Sequence, residues 1–219
     1  MATIEWADGQ VPVSTRFDDP YYSRADGLAE ARHVFVRGNA LPERLRDGFH
    51  IAELGFGTGL NMLAALLEWR ASGIGGTLRY TGFEAFPLSA AQIAHALAPF
   101  EALSTEAAPF IAAWENGARR FDLGGVRLHV IEGDARQTVP HWDGMADAWF
   151  LDGFAPARNP ELWNAQLMRE VARHTAPGGS FATYTAAGHV RRALSDAGFE
   201  VRRGAGFGRK RHMSMGNLP

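Results

Sequence analysis

A short apolar strand, a glycine-rich turn and a helix follow one another between residues 51 and 73, and this order constrains the fold most. Residues 51–54 (IAEL) read as a buried strand that ends at Gly55. Apolar residues then recur at helical spacing and predict a helix that ends near Gly73. A strand, a tight turn and a helix form the first half of a β-α-β unit, which indicates an α/β fold around a mostly parallel sheet.

The remaining chain continues this alternation. Further strands are predicted over residues 78–84, 126–134, 147–152 and 180–185. Helices are predicted over 89–97 and 188–197, and another begins at Pro160, with Asn159 as its N-cap, and is broken by Pro177. Two last strands, 199–203 and 209–215, predict an antiparallel finish to the sheet. Residues 4–13 alternate around an Asp-Gly pair and predict a hairpin. We therefore predict one domain, 1–219, with an N-terminal hairpin and lid-like extension (1–49) and a Rossmann-like core (50–219).

Composition excludes several classes of protein. With 219 residues, 46% hydrophobic, the chain can bury a core of its own. It has no cysteine, which excludes disulfides, thiolate metal sites and cysteine nucleophiles. No stretch approaches the roughly 20 apolar residues of a membrane span, and the first residues lack a secretory signal. We expect a cytoplasmic protein with no membrane contact, and no metal, because its histidines lack ligand-like spacing.

The glycine turn points to a nucleotide-like cofactor. Glycines tolerate positive φ and let the backbone approach a ligand closely. A dinucleotide fingerprint would place its third glycine at residue 60, which is Leu60. Here the glycines are Gly55, Gly57 and Gly59, and Glu53 precedes them. This spacing resembles the cofactor loop of class I S-adenosylmethionine-dependent methyltransferases, which implies their Rossmann-like fold.

Acidic residues at successive strand ends fit the same resemblance. It implies that Glu84 accepts hydrogen bonds from the ribose hydroxyls, that Asp134 and Ala135 flank the adenine, and that Glu53 lies near the cationic sulfonium. Taken singly, each acid has the alternative of merely capping a turn; three at three strand ends favour a ligand site. The full cofactor-binding set is Glu53, Gly55, Phe56, Gly57, Gly59, Asn61, Glu84, Asp134, Ala135 and Asp152.

The end of the fourth predicted core strand carries the most distinctive segment, residues 152–163 (DGFAPARNPELW). Methyl transfer to an amine needs a neutral nitrogen whose lone pair points at the methyl carbon, with water kept out. Asp152 is the candidate catalytic residue, because its carboxylate can orient the amine or take its proton. Phe154 can stack on a planar base.

Five motifs together resemble one family, the methyltransferase domain of the tRNA 5-methylaminomethyl-2-thiouridine biosynthesis protein MnmC and its stand-alone, MnmD-like relatives. The motifs are residues 17–23 (FDDPYYS), 27–35 (GLAEARHVF) with Gly38 and Asn39, 53–61 (ELGFGTGLN), 152–163 and 206–211 (GFGRKR). The resemblance implies methylation of 5-aminomethyl-2-thiouridine to 5-methylaminomethyl-2-thiouridine at the tRNA wobble position, with S-adenosyl-L-methionine as methyl donor.

The resemblance also implies a second partner besides tRNA. Two-domain members of the family carry an FAD-dependent oxidase after the methyltransferase, and 219 residues leave no room for it, so no FAD is expected in this chain. The oxidase is then a separate protein or a fused domain. Whether the chain stands alone or belongs to a longer protein stays open.

Basic residues concentrate near the C-terminal end. Residues 181–219 carry 7 basic and 2 acidic side chains, although the whole chain has a net charge of -2. Such a cluster predicts salt-sensitive phosphate contacts, with a charge-protected sheet edge as the alternative. The predicted substrate and tRNA residues are Phe154, Pro156, Arg158, Arg209, Lys210 and Arg211.

Three other functions remain open at this point. A methyltransferase could act on a different amine. A nicotinamide-dependent oxidoreductase would use the same sheet, although Leu60 argues against it. A non-catalytic nucleic-acid-binding module would keep the basic cluster and lose cofactor affinity. Calorimetry with S-adenosylmethionine and NAD separates the methyltransferase, oxidoreductase and binding-module hypotheses.

Overall fold

The computed structural model describes residues 2–219. The strands are β1 (Ile4–Ala7), β2 (Val11–Ser14), β3 (Asp19–Pro20), β4 (His50–Leu54), β5 (Leu78–Glu84), β6 (Arg120–Leu123), β7 (Val126–Glu132), β8 (Ala146–Leu151), β9 (Thr175–Thr183), β10 (Glu200–Ala205) and β11 (His212–Asn217). The α-helices are α1 (Gly27–Ala31), α2 (Leu41–Arg44), α3 (Leu60–Ser72), α4 (Ala90–Leu97), α5 (Ser104–Glu115), α6 (Ala135–Thr138), α7 (Ala165–Arg173) and α8 (Gly188–Asp196). A π-helical turn, Arg32–Arg37, continues α1, and single 3₁₀ turns span Glu101–Leu103, Val139–His141 and Pro160–Trp163.

Eight strands form the central sheet in the order β10-β11-β9-β8-β4-β5-β7-β6. The five inner strands from β9 to β7 are parallel. At one edge β11 pairs antiparallel with both β9 and β10, and at the other β6 pairs antiparallel with β7. The predicted α/β class and the antiparallel pairing of the last two strands are therefore confirmed. The chain moves outward from β4 to β5 and β7, then returns to β8 on the other side of β4. This reversal opens a crevice at the carboxyl ends of β4 and β8, where such sheets bind ligands.

Two apolar layers cover the sheet. One face packs against α1, the π-helical turn, α3, α4 and α5, and the other face against α6, α7 and α8. Because both faces are covered, β4 is buried at every residue, as expected for a parallel strand. The register pairs Leu54 with Phe83 and Leu151, so the three neighbouring strands end at the same level. Residues just after those ends are thereby brought to one edge.

The N-terminal residues form a small separate sheet, β1-β2-β3. The predicted hairpin is present, with β1 and β2 antiparallel around a turn in which Asp8 and Gly9 have positive φ. Tyr22 fixes this part to the core, because its hydroxyl donates to the carbonyl of Ala96 in α4 at 2.8 Å. The N-terminal segment thus packs beside the carboxyl edge of the central sheet.

Some sequence-based boundaries were wrong. Asn159 makes no side-chain capping bond; α7 begins later, and Asn164 caps it by accepting from the N–H of Leu167 at 2.9 Å. The short strand β6 lies in a stretch for which no strand was predicted. No helix within residues 2–219 is both long and apolar enough to cross a membrane.

Candidate active site

A cavity of about 750 Å³ opens at the carboxyl edge of the parallel strands. This volume is within the range of small-molecule sites. The strand-end wall is formed by the loops after β4, β5, β7 and β8, and the N-terminal wall by residues 16–35. Both polar and apolar side chains line the cavity, as a ligand with charged and planar parts requires. The lid-like extension predicted for residues 1–49 therefore supplies one wall.

The glycine loop after β4 bends where a side chain would not fit. Gly55 has φ of +75°, and a Cβ there would lie 3.1 Å from the carbonyl oxygen of Asp152. Gly59 begins α3 with φ of +77° and faces Phe110 rather than the cavity. The ring of Phe56 turns into the core, where it is stacked near Trp114. Gly55, Phe56, Gly57 and Thr58 are the residues of this loop that line the cavity.

Glu84 ends β5 and lies almost completely buried at the cavity wall. Its two carboxylate oxygens accept from the N–H groups of Gly57, at 2.8 Å, and Phe86, at 2.7 Å. Burial raises the pKa of Glu84, and these backbone bonds oppose the rise. The carboxylate therefore holds the glycine loop in place while each oxygen keeps a further lone pair for a ligand.

One amide side chain links the carboxylates that follow β4 and β8. The Asn61 amide nitrogen donates to Glu53 and to Asp152, both at 2.7 Å. The Tyr80 hydroxyl donates to the second oxygen of Glu53 at 2.8 Å, and the N–H of Gly153 donates to Asp152 at 2.8 Å. Glu53 lies behind the cavity lining, whereas Asn61 and Asp152 face the cavity.

This pair of carboxyl groups resists ionisation. Burial, and secondarily the nearby Asp152 charge, raises the pKa of Glu53 well above its usual value. Burial also raises the pKa of Asp152 to about 7, against the lowering effect of the Gly153 and Asn61 hydrogen bonds. At neutral pH, Asp152 is therefore balanced between its acid and its base form, which suits a group that accepts a proton.

Asp134 and Ala135 follow β7, and both line the cavity. Asp134 caps α6 by accepting from the N–H of Arg136 at 2.9 Å, and it also forms an ion pair with the Arg136 side chain. The side-chain hydrogen bond from Arg136 lowers the pKa of Asp134. The Asp134 carboxylate is thus ionised, and Arg136 uses part of its hydrogen-bonding capacity. Ala135 is the buried surface beside it.

The N-terminal wall meets the loop after β8 through side chains. Asp19 accepts from the N–H of Ala155 at 2.7 Å, and Asp18 forms an ion pair with Arg158 at 3.0 Å. The ring of Phe154 stacks on Phe17 with centroids 4.8 Å apart. One face of Phe154 is therefore covered by the N-terminal wall. Burial raises the pKa of Asp19, and the bond from Ala155 opposes this rise.

The structure brings most of the predicted site residues to this cavity. Those that line it are Gly55, Phe56, Gly57, Asn61, Glu84, Asp134, Ala135, Asp152, Phe154, Arg158 and Lys210. Glu53, Gly59, Pro156, Arg209 and Arg211 lie outside the lining. Sequence reasoning missed Glu30, Asp19 and Tyr184 as cavity residues; only Glu30 and Asp19 carried a signal, since both lie in the distinctive N-terminal motifs. Within residues 2–219, no group of three or more histidine or acidic side chains is placed to hold a metal ion.

A family described as S-adenosyl-L-methionine-dependent methyltransferase matches residues 99–219. The match covers more than half of the chain, so the chain belongs to this family of methyltransferases. The matched part includes β7, β8 and the acids that follow them. S-adenosylmethionine, rather than a nicotinamide, is therefore the cofactor of the family, and the chain is an enzyme of the transferase class.

Curated relatives are similar to this chain over nearly its whole length. The chain is 47% identical to the tRNA 5-methylaminomethyl-2-thiouridine biosynthesis bifunctional protein MnmC of Chromobacterium violaceum, over 98% of the chain and 34% of that protein. It is 43% identical to the protein of the same name from Marinobacter nauticus, over 100% of the chain and 37% of that protein. The chain thus spans about a third of the length of these relatives.

Solved structures agree on the fold. The crystal structure of MnmC2 from Aquifex aeolicus superposes with a TM-score of 0.79 at 25% identity, over 100% of this chain and 70% of that one. A spermidine synthase from Thermotoga maritima has a TM-score of 0.55 at 10% identity, over 99% of this chain and 71% of that one. The second likeness shows a shared fold alone.

Proposed function

We propose that this protein methylates the primary amine of 5-aminomethyl-2-thiouridine at the tRNA wobble position and forms 5-methylaminomethyl-2-thiouridine. The observation that carries this proposal is the 47% identity, over nearly the whole chain, to a protein named for the biosynthesis of that product. The cavity supports it, because a carboxyl group suited to an amine, Asp152, faces the same space as the glycine loop.

The cavity residues fit S-adenosylmethionine. Gly55 lets the loop after β4 pack closely against the backbone of Asp152 and Gly153, and both Gly55 and Gly57 line the cavity. We propose that Glu84 accepts from the ribose hydroxyls and that Ala135, with Asp134, flanks the adenine. Asp152, which is partly ionised near neutral pH, then gives a negative environment for the cationic end of the cofactor, and Glu53 lies behind it, linked through Asn61.

When bound, the cofactor supplies an electrophilic methyl carbon: the amine lone pair forms the new N–C bond, the C–S bond breaks with its electrons on sulfur, and nitrogen loses one proton. Asp152 is proposed to accept a hydrogen bond from the amine and then that proton. Its pKa of about 7 makes this transfer feasible near neutral pH. Asn61 orients the carboxylate by its bond to one oxygen, at 2.7 Å.

The uridine is proposed to enter past Phe154 and Pro156, where an aromatic surface can contact the base. Arg158, Arg209 and Arg211 are exposed and are proposed to contact tRNA phosphates. We further propose that the protein acts in the cytoplasm, and that an FAD-dependent oxidase, fused or separate, prepares the aminomethyl group.

The test is methyl transfer in vitro. We expect the purified protein to transfer labelled methyl groups from S-adenosylmethionine to tRNA from cells that lack this activity, and nucleoside analysis to find the label in 5-methylaminomethyl-2-thiouridine. Fully modified tRNA is the control and should accept no label. Label in a different nucleoside, or none with a protein that binds S-adenosylmethionine, would contradict the proposed substrate.

A further inference from the structure

Lys210 is the single lysine of the chain, and its side chain reaches the cavity. Its ammonium lies 2.9 Å from a carboxylate oxygen of Glu30 and 4.0 Å from the centre of the Tyr184 ring. Sequence reasoning had grouped it with Arg209 and Arg211 as a phosphate contact, but those two neighbours do not line the cavity. Lys210 therefore has a different environment from the rest of the basic cluster.

The two partners of Lys210 are held firmly. Glu30 lies on α1 and is only 8% exposed. Tyr184 donates from its hydroxyl to the carbonyl of Gly153 at 2.8 Å, which ties its ring to the loop that carries Asp152. A buried carboxylate beside an aromatic face is a binding site for an ammonium group. In this structure the protein's own lysine fills that site, which we call the cation corner: Glu30, Tyr184 and Lys210.

The cation corner lies within electrostatic reach of Asp152. The charge of Glu30 raises the pKa of Asp152, and the charge of Lys210 lowers it. Asp19, Arg158 and Asp18 also face this region, and Lys210, Arg158 and Asp18 all act on Asp19. Glu53 lies behind Asp152 and is coupled to it. An incoming amine at Asp152 therefore meets the field of Lys210 as well as that of the carboxylates.

We propose that Lys210 is a positioning residue that selects the neutral, nucleophilic form of the substrate amine by filling the cation corner. This inference rests on the proposed methylation of an aminomethyl group. Without Lys210, the unpaired carboxylate of Glu30 and the ring of Tyr184 would hold the protonated amine, which has no lone pair to attack with. With Lys210 in place, the corner is occupied, and a fixed like charge disfavours the ammonium form.

The kinetic test is the pH dependence of methyl transfer to tRNA carrying the aminomethyl group. We expect Lys210→Met to move the acid limb of the kcat profile upward by about one pH unit, because the corner now stabilises the protonated amine. Lys210→Arg should keep the wild-type limb. Glu30→Gln combined with Lys210→Met should return the limb toward wild type, since the carboxylate that traps the ammonium is gone.

The matched comparison is Arg209→Met, one residue away on the same loop. As a phosphate contact, it should raise KM for tRNA in a salt-dependent manner without moving the acid limb. If Lys210→Met behaved in the same way, Lys210 would be a phosphate contact and the proposal would be wrong. A wild-type protein that transfers no methyl group to this tRNA would overturn the proposed function and the role of Lys210 together.

A direct readout uses the single lysine. Lysine labelled with ¹³C at Cε gives one side-chain signal, shifted by the Tyr184 ring when Lys210 is in the corner. We expect the signal to keep this shift when S-adenosylhomocysteine and the aminomethyl tRNA are both bound. Movement to the position of a solvent-exposed lysine would show that Lys210 leaves the corner for the nucleic acid, and would overturn the proposal.

Discussion

The two walls of the cavity are built by different means. The strand-end wall follows from the register of three parallel strands, and its central carboxylate, Glu84, is fixed by two backbone N–H groups. The N-terminal wall reaches the same cavity through side-chain contacts, chiefly Asp19 with the N–H of Ala155 and Lys210 with Glu30. The proposed cofactor side is thus preformed by the sheet, whereas the proposed substrate side depends on a few individual side chains.

Because the two walls are built differently, we expect substitutions in each wall to have different effects. Changes on the strand-end wall should alter cofactor binding or the chemical step itself. Changes on the N-terminal wall should alter how the uridine is held, with the cofactor still bound. The predictions below probe this division from the largest expected effect to the smallest.

Asp152→Ala should have the largest effect. We expect kcat to fall by about 10²- to 10⁴-fold, because the proton acceptor and the orienting hydrogen bond are both lost. The dissociation constant of S-adenosylmethionine, measured by calorimetry, should change much less than kcat. Asp122→Ala is the matched control, since Asp122 is an exposed residue of β6 outside the cavity, and it should keep wild-type activity. Wild-type turnover by Asp152→Ala would remove this residue from the mechanism.

Glu84→Gln should weaken S-adenosylmethionine binding. Loss of a charged hydrogen-bond acceptor costs about 1.5 to 3 kcal/mol, or roughly 10- to 150-fold in affinity. Glu132→Gln is the control, because Glu132 pairs with Glu84 in the sheet register but lies outside the cavity lining. Equal affinities for wild type and Glu84→Gln in calorimetry would exclude the ribose role.

Asp19→Ala should affect the N-terminal wall alone. Removal of its bond to the N–H of Ala155 costs about 1 kcal/mol, so kcat/KM for tRNA should fall by roughly fivefold. Affinity for S-adenosylmethionine should stay within twofold of wild type. Asp18→Ala, which removes only an exposed ion pair, should have a smaller effect. A large loss of cofactor affinity in Asp19→Ala would show that the two walls are not separate in function.

Glu53→Gln should stabilise the protein, increasingly so at higher pH. The pKa of Glu53 is raised in the folded state, so the unfolded state releases this proton first, and the free energy of unfolding falls as the pH rises from about 4.5 toward the folded pKa. Glutamine avoids this loss and can still bond to Asn61 and Tyr80. Thermal unfolding at pH 5 and pH 8 should show a Tm gain of about 2 °C or more at pH 8 and a smaller one at pH 5. Glu115→Gln, at an exposed position outside the cavity, is the control variant. A gain independent of pH in Glu53→Gln would contradict the assignment.

The sequence predicted the strand-end wall better than the N-terminal wall. Strand periodicity and the glycine turn are local signals, and parallel strands necessarily bring Glu84 and Asp152 to one edge. The positions of Glu30 and Tyr184 depend on how α1 and β9 pack, which no local pattern encodes. The contact of Lys210 with Glu30 was not foreseen for the same reason: a run of three basic residues does not show which side chain reaches the cavity.

Local signals also failed at two boundaries. The strand β6 is four residues long, and only its pairing with β7 makes it a strand. Asn159 and Asn164 both offer a capping side chain, and the start of α7 at Ala165 follows from the packing of Trp163 into the core before the helix begins. Tertiary contacts decided between alternatives that were locally equivalent.

The two carboxyl groups that Asn61 links should also affect how strongly the reaction product inhibits the enzyme. Methyl transfer turns a positively charged sulfonium into an uncharged thioether, while Glu53 and Asp152 remain buried beside it in the proposed site. These groups ionise more readily when a cation is present. The site should therefore bind S-adenosylmethionine in preference to S-adenosylhomocysteine, and this preference should increase as the pH rises. The enzyme should consequently resist inhibition by its own product best at alkaline pH and lose that resistance as the carboxyl groups become protonated.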